Sequence, residues 1–503
     1  MNDSKFKKVL SSLDIFVIAF GAMIGWSWVV NTGIWIETAG GVGAALAFVI
    51  GSVMILFVGL VYAELTTALP RCGGEHIFSY RALGKNGSYV CSWALLLAYI
   101  GVTAFEACAF PTVISYIVPG FLKGYLYTIA GFDVYTTWLL TGVAAALVVT
   151  YINFRGTKTA AGVQTVFVAM IAGSGILIIV TSILKGAPAN LTSNAFFKGG
   201  SLKSIGGILT IAVMTPFLFM GFDVIPQASE EINIPHKKIG KIMIFSIVMA
   251  LLFYSLIILA VAYAIPRDIM EASIASTNGL VSADAVAHLL NSTAISKVII
   301  IGGLAGIVTS WNSFLLGGSR LFYAMAESRM ISSRFMLLHP KYNTPTHAIY
   351  LIGAISMIAP FFGRRMLVWI TDAGSFAAVI AYLIVCISFV LLQRKEPELH
   401  RPYRIENPRF VGTMAIFFSC LFLLLYIVPF SFSQSALCWQ EWIIVGIWAF
   451  AGIVLYLHGK TVQRSEEDPS LQFLCHYLQS QSVQNPPRPK AGCQFCPLAC
   501  PYI

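Results

Sequence analysis

Three acidic residues inside long apolar stretches are the first candidates for chemistry in this sequence. Glu106 stands in GVTAFEACAFP, Asp223 in FMGFDVI and Asp372 in WITDAGS. An acidic side chain at the centre of a bilayer costs about 2.5–3.5 kcal/mol on insertion scales, so it usually has a function. Glu106 is expected either to contact the ammonium of a solute or carry a proton, or to be a protonated packing carboxyl. Asp372 is expected to lie closer to the outer surface, in a structural role.

Glycine interrupts two of the apolar segments. Segment 13–37 carries Gly21 and Gly25, and segment 204–231 carries a proline and Gly221. A Gly-x-x-x-Gly pattern can be a helix-packing face or a tolerated pair of glycines. It can also mark a helix broken in mid-membrane, whose free N–H and C=O groups must line a cavity. Two interrupted segments at matching places in two halves of a chain favour broken helices with a solute site between them.

The predicted site consists of backbone atoms at the two breaks and of side chains beside them. A half-helix with free N–H groups suits a carboxylate, and one with free C=O groups suits an ammonium. The candidate substrate-binding residues are Met23, Ile24, Gly25, Trp26, Ser27, Glu106, Phe217, Phe219, Met220, Gly221, Phe222, Asp223 and Phe314. Phe217, Phe219 and either Trp311 or Phe314 are candidate gates, with lipid contact or core packing as the alternative. Asn312 and Ser313 are candidate ligands of a coupled cation, with ordinary helix packing as the alternative.

Composition and charge show what must position these residues. Of the 503 residues 57% are hydrophobic and 11% are charged, against about 25% charged in soluble proteins. The chain is therefore predicted to be a polytopic membrane protein. The predicted spans lie near 13–37, 41–65, 88–118, 134–153, 159–184, 204–230, 238–265, 295–326, 345–362, 366–392, 409–430 and 437–458.

The charge pattern predicts the topology. Most of the 32 lysines and arginines lie in the tails and in alternate loops, which places both termini in the cytoplasm. The net charge of +10 therefore reports topology and not nucleic-acid binding. Glu64 is expected to pair with a basic loop residue. Glu230 and Glu231, followed by basic residues, are expected to form a cytoplasmic latch, or else the lysines form a solvated basic face.

Several short motifs add a resemblance to a known family. They are GAMIG (21–25), YAEL (62–65) followed by Gly73, Gly74 and Tyr80, GFD (221–223), EExxxP (230–235) and SRxxYAMA (319–326). In this order and spacing the chain resembles the amino acid–polyamine–organocation (APC) superfamily of permeases. The resemblance implies an all-α membrane protein of 12 transmembrane helices. Ten of them would form a LeuT-like 5+5 inverted repeat with discontinuous helices 1 and 6, followed by two extra helices.

Domain boundaries follow from this layout. Residues 1–12 are a cytoplasmic tail, 13–392 the ten-helix transport core, 393–459 helices 11 and 12, and 460–503 a polar cytoplasmic tail. The last segment carries Cys475, Cys493, Cys496 and Cys500, whose spacing resembles a zinc site but lacks a companion motif. The tail is expected to be disordered, and no metal or cofactor is predicted.

The resemblance also implies a function, namely secondary active transport of an amino acid or related amine across the plasma membrane by alternating access. Asp223 stands where the family often has a glutamate linked to proton or substrate control, so Asp223 and Glu106 are coupling candidates. Trp26-Ser27 replaces the Ser-Gly of many members, and this tryptophan would shrink the site or pack behind it. No lysine stands near Ile171, which weakens one proton route.

The expected partners are an amino acid or amine, a coupling H⁺ or Na⁺ or an exchanged substrate, and the lipid bilayer. No nucleic acid is expected, and the oligomeric state stays open. A polyamine or cationic amino acid exchanger is the alternative. A membrane-embedded enzyme is disfavoured, because all eight histidines lie in loops, near span ends or in the tail. A channel, which would conduct downhill without saturation, is also disfavoured.

Overall fold

The computed structural model describes residues 6–193, 201–275, 280–429 and 436–467. The predicted tail cysteines, from Cys475 to Cys500, lie outside the described residues. The described helices are α1 (Ser12–Met23), α2 (Ser27–Val30), α3 (Thr32–Ala39), α4 (Gly41–Ala68), α5 (Glu75–Ile117), α6 (Thr136–Phe154), α7 (Thr157–Lys185), α8 (Pro188–Ser193), α9 (Ser201–Leu218), α10 (Val224–Gln227), α11 (His236–Ala264), α12 (Arg267–Ala275), α13 (Val281–Leu290), α14 (Thr293–Glu327), α15 (Thr346–Ile358), α16 (Gly363–Lys395), α17 (Pro408–Ile427) and α18 (Trp439–Glu467).

Short elements connect the helices. Single 3₁₀ turns lie at Ser229–Glu231, Ser333–Met336 and Ala359–Phe362. An antiparallel hairpin of β1 (Tyr125–Ile129) and β2 (Phe132–Tyr135) joins α5 to α6. The helices form the main hydrophobic core, and the hairpin contributes Val134 to a smaller cluster around Trp138.

Ten helices of the described chain are long and apolar enough to cross a membrane. The protein is therefore a multi-pass membrane protein. These ten coincide with ten of the twelve predicted segments. The other two, 13–37 and 204–231, are the ones whose glycines predicted an interruption, and each consists of shorter helices. The sequence prediction of two interrupted helices is confirmed.

Close helix packing surrounds the interrupted segments. Helix α5 packs along α14 and α16, and α4 packs along α11. An added Cβ at Gly101 of α5 would lie 3.2 Å from the carbonyl oxygen of Ile370, so a small residue is needed for α5 and α16 to approach this closely. Helix α5 also bends at Gly84, whose φ is +76°, a conformation that glycine adopts readily. The bend separates the first turns of α5 from its membrane span.

Candidate functional site

The first interruption spans residues 24–26, between α1 and α2, and is called the first break below. Ile24 closes α1 by donating its amide to the carbonyl of Phe20 at 2.9 Å. The hydroxyl of Tyr254 donates to the carbonyl of Met23 at 2.9 Å. Among the described residues, the amides of Gly25 and Trp26 have no hydrogen-bond acceptor. The first break therefore leaves two backbone donors available.

The second interruption spans residues 219–223, between α9 and α10, and is called the second break. Gly221 has a φ of +139°, which strongly favours glycine. Its amide donates to Oδ1 of Asp223 at 2.6 Å, and the hydroxyl of Tyr99 donates to Oδ2 of Asp223 at 2.8 Å. Asp223 therefore satisfies the amide at its own break and receives a second bond from α5.

The second break packs against the end of α1, and the first break packs against α14. A Cβ at Gly221 would be 2.5 Å from Cβ of Ala22 and 2.9 Å from the amide nitrogen of Met23. Gly303 and Gly306 of α14 lie directly against the Trp26 ring and the Gly25 carbonyl. Because Gly303 and Gly306 have no side chain, the non-helical backbone of the first break can lie close to α14.

A cavity of about 530 Å³ lies beside the first break and is called the central cavity. Its wall includes Met23, Gly25, Trp26, Ser27, Phe105, Glu106, Phe217, Met220, Tyr254, Ser310 and Phe314. The cavity extends to Arg364 and Asp372 of α16 and to Ala436–Glu441 at the start of α18. Aromatic rings and a few polar groups thus enclose a space of the size typical for a small-molecule site.

Several predicted site residues lie behind this wall. Ile24 is fully buried. Phe219 packs against Phe48 and Tyr254, and Phe222 packs against Tyr62. Gly221 and Asp223 of the second break also lie outside the wall residues. The structure therefore brings most first-break candidates to the cavity but turns most of the second break into packing.

Asn312 and Ser313 belong to a hydrogen-bond network between helices. Asn312 donates to Oε1 of Gln164 at 2.8 Å and accepts from the amide of Asn153 at 2.8 Å. Ser313 donates to the carbonyl of Ile18 at 3.0 Å and accepts from Gln164 at 2.9 Å. These bonds join α1, α6, α7 and α14 behind the cavity, which favours the packing interpretation over a cation site.

Glu106 places a carboxyl group beside the first break. The hydroxyl of Ser310 donates to its Oε1, and a Cβ at Gly25 would lie 3.9 Å from the same oxygen. Its Oε2 is buried and has no partner among the described residues. A buried carboxyl oxygen without a hydrogen bond is costly, so a ligand or water that donates to Glu106 would be stabilised.

Asp372 lies in the wall of the central cavity. Its expected position nearer the outer surface and its structural role stay predictions. Glu441, which sequence reasoning missed, lines the same wall and interacts electrostatically with Asp372. Glu441 also accepts the amide of Cys438 at 2.7 Å. Only the packing of α16 against α18 brings the two carboxyls together.

On the side of the N-terminus, a set of contacts closes the helix bundle. We call this set the N-terminal seal. The amides of Val9 and Leu10 donate to the carbonyl of Glu231 at 2.8 and 2.9 Å. The carboxylate of Glu231 forms a buried ion pair with Arg320 at 2.8 Å, and Thr157 donates to the same carboxylate. The predicted latch thus exists, but its base is Arg320 of α14.

Two further acids on this side are paired with bases. Glu64 forms an ion pair with Arg401 at 3.0 Å, which confirms its predicted basic loop partner. Glu230 lies 3.9 Å from Arg71. Burial raises the pKa of Glu230 above its ordinary value, while nearby donors and Arg71 oppose that rise.

The sequence model described as amino acid permease matches residues 10–454, nearly the whole chain. The chain belongs to this amino acid permease family. The permease is thus a member of the APC superfamily, and like the family's named members it is a transporter and not an enzyme.

Curated relatives extend over most of the permease. It is 25% identical over 469 residues to the branched-chain amino acid permease BcaP of Bacillus subtilis (strain 168), covering 90% of this chain and 93% of that protein. It is 23% identical over 466 residues to the methylthioribose transporter of the same organism, covering 89% and 92%. It is 27% identical over 421 residues to that organism's aspartate-proton symporter, covering 82% and 78%.

Proposed function

We propose that the permease carries out secondary active transport of an amino acid across the plasma membrane by alternating access. The observation that carries this proposal is the central cavity beside the first break, where free backbone donors and a carboxyl group face the same space. Relatives named as amino acid permeases support an amino acid as the substrate class.

The first break offers a separate partner to each end of an amino acid. The free amides of Gly25 and Trp26, at the start of the following helical turns, suit the α-carboxylate. The unpaired oxygen of Glu106 suits the α-ammonium, because a charge-assisted bond compensates for burial of both groups. Phe217, Phe314 and Trp26 would contact the side chain of the substrate.

The asymmetry of the two sides supports alternating access. The central cavity extends toward Arg364 and Glu441, whereas the N-terminal seal closes the opposite side. With both termini in the cytoplasm, this arrangement is outward-facing. Twelve spans, ten of them in a LeuT-like inverted repeat with broken helices 1 and 6, agree with the ten long helices and the two interrupted segments.

Exchange of cationic amino acids or polyamines is the second candidate, and the wall of the cavity favours it. Glu106, Asp372 and Glu441 contribute three carboxyl groups, whereas Arg364 contributes one basic group. Aromatic rings beside carboxyls also suit organic cations. A second ammonium or guanidinium on the substrate would contact Asp372 and Glu441.

Counterflow into reconstituted vesicles tests these functions. Vesicles loaded with one unlabelled amino acid or amine are diluted into the labelled compound, at two pH values and with or without sodium. Saturable, stereospecific exchange of amino acids is expected, and competition by arginine and putrescine distinguishes the second candidate. Protein-free vesicles are the control. Uptake that never saturates would instead indicate a channel.

A further inference from the structure

A group of fully buried polar side chains lies behind the second break, outside the wall of the central cavity. We call it the buried carboxyl cluster; it contains Tyr62, Glu75, Tyr99, Asp223, Gln227 and Tyr382. Glu75 is the first residue of α5 and follows the Gly73-Gly74 turn. This turn is part of a motif that carries the family resemblance, and the sequence predicts no function for Glu75.

The cluster is held together by contacts from four parts of the chain. Gln227 donates to Oε2 of Glu75, and the amide of Gly73 donates to the carbonyl of Gln227 at 3.3 Å. The Tyr62 and Tyr382 rings lie 5.8 Å apart. The bond from Tyr99 to Asp223 completes the group, so helices α4, α5 and α16 surround the two carboxyls together with the second break.

Hydrogen bonding within the cluster is incomplete. Oε1 of Glu75, Oε1 of Gln227 and the hydroxyls of Tyr62 and Tyr382 make no hydrogen bond of normal geometry among the described residues, although Tyr62 lies near Glu75 and Tyr382 near Asp223. Buried polar groups in native proteins are almost always satisfied. Four such atoms in one cluster therefore point to a small hydrogen-bonding occupant, either protons on the carboxyls or a proton together with water.

The titratable groups around Glu75 favour a bound proton in the cluster. The titratable groups that interact with it are Tyr62 of α4, Cys91 and Tyr99 of α5, Asp223 of the second break and Tyr382 of α16. No basic side chain of the described residues is among them. Neighbouring His76 is directed away, with its ring nitrogens bonded to Ser88, Ser92 and Ser328. Two buried carboxylates without a cation repel each other, so at least one of them must be protonated.

Only a thin layer separates this cluster from the side of the N-terminus. Arg71, four residues before Glu75, has a side chain that is 61% exposed. The layer is held by the hydroxyl of Ser229, which donates to the carbonyl of Arg71 at 2.7 Å. Gln227 and Asp223 both belong to the segment that contains the second break. A movement of this segment would therefore open Glu75 to the cytoplasm and separate it from its partners.

We propose that Glu75 and Asp223 form a two-carboxyl site that binds the co-transported proton. This inference rests on the proposed transport function and names its coupling ion. With the N-terminal seal closed, the proton is retained between the two carboxyls and Tyr62, Tyr99 and Tyr382. When the segment of the second break moves, the proton is released to the cytoplasm, so each transport cycle moves one proton with the substrate.

Two transport measurements on the same reconstituted protein test the site. Counterflow reports substrate exchange, and accumulation driven by an inward proton gradient reports coupling. For E75Q, counterflow is expected to stay close to wild type, whereas proton-driven accumulation falls at least about 5-fold, the lower end of typical coupling energies. D223N is expected to share this phenotype. If E75Q does not fold, D223N alone tests the two-carboxyl site. E398Q, at an exposed acid, is the matched control.

The outcomes separate the site from the function. If wild-type protein shows no counterflow, the proposed function fails whatever the variants do. If E75Q and D223N accumulate substrate on a proton gradient as well as E398Q does, the two-carboxyl site is wrong. Accumulation in wild type that requires sodium at constant pH would equally overturn it.

Discussion

The two helix breaks differ in what they do with their free backbone groups. At the first break, the amides of Gly25 and Trp26 have no acceptor among the described residues, and Gly25 borders the central cavity. At the second break, the side chain of Asp223 binds the amide of Gly221, and the surrounding rings fill the space. One break is prepared for a ligand, and the other is already occupied by its own chain.

The glycines of the two breaks differ in the same way. The backbone of Gly25 does not have a positive φ, and a Cβ there would meet only Ser310 and Glu106, at 3.8 and 3.9 Å. Gly221 has a φ of +139° and no room for a Cβ. The first glycine thus keeps space for a solute, whereas the second makes the fold possible. This difference agrees with the proposed roles, namely substrate binding at the first break and movement with proton control at the second.

Replacement of Gly221 by alanine should give the largest effect. Positive φ and overpacking against Ala22 together should lower the free energy of unfolding by about 2–5 kcal/mol. Thermal melting of the purified protein should shift down, and uptake should be lost. G173A is the control, because no atom lies within 4 Å of a Cβ at Gly173. A normal melting temperature and normal uptake for G221A would remove the distinction between the breaks.

Replacement of Glu106 by glutamine and of Asp223 by asparagine should separate substrate binding from proton control. E106Q loses a charge-assisted bond of about 1.5–3 kcal/mol, which raises the KM for uptake by about 10–100-fold. D223N should leave KM nearly unchanged, since Asp223 lies outside the cavity wall, and should flatten the pH dependence of uptake. KM and pH profiles measured side by side test this. An unaltered KM for E106Q would assign Glu106 to packing.

Each break accepts a hydrogen bond from one tyrosine, so the stability that these two bonds contribute can be compared directly. Y99F removes a bond to the Asp223 carboxyl and should cost about 1.5–3 kcal/mol of stability if that carboxyl is ionised. Y254F removes a bond to the Met23 carbonyl and should cost about 0.5–1.5 kcal/mol. Melting temperatures of both variants in one detergent give the comparison. The reverse order would show that the first break is the more tightly held.

Replacement of Gly25 by alanine should have the smallest effect on folding. The added methyl group meets only ordinary van der Waals contacts, so the melting temperature should match wild type. Within the cavity the methyl group occupies space beside Glu106, and KM should rise, by about 10-fold or less if one small contact is lost. Size-exclusion and uptake assays would reveal any misfolding, which would contradict the open geometry assigned to the first break.

The sequence predicts the fold through its apolar segments. Ten uninterrupted segments are long helices, and the two with central glycines are broken. Two interpretations were open for Gly21 and Gly25, a helix-packing glycine and a break in the helix, and each applies to one of the two residues. Gly21 lies within α1 and packs against Gln164 and Val168, whereas Gly25 lies in the break. Pro216 remains inside α9, which ends two residues later at Leu218, so the proline does not itself end the helix.

The site is only partly predictable, because a sequence does not show which side of a break faces the cavity. Asp223 was assigned to substrate contact or coupling, and the structure places it behind the cavity wall. Asp372 and Glu441 meet only through packing between distant helices. Glu75 gave one signal, an acid directly after two glycines at a helix start, but its burial depends on the later segment around Gln227.

The N-terminal seal has a practical consequence for handling the protein. Phe6 lies edge-on against Tyr323 at 4.9 Å, and Leu10 forms an isolated parallel bridge with Ile232. A fluorescent protein or affinity tag fused immediately ahead of Phe6 would strain the N-terminal seal and favour the conformation in which the seal is open. Reporters attached through a long spacer, or at the opposite terminus, would leave the resting state undisturbed.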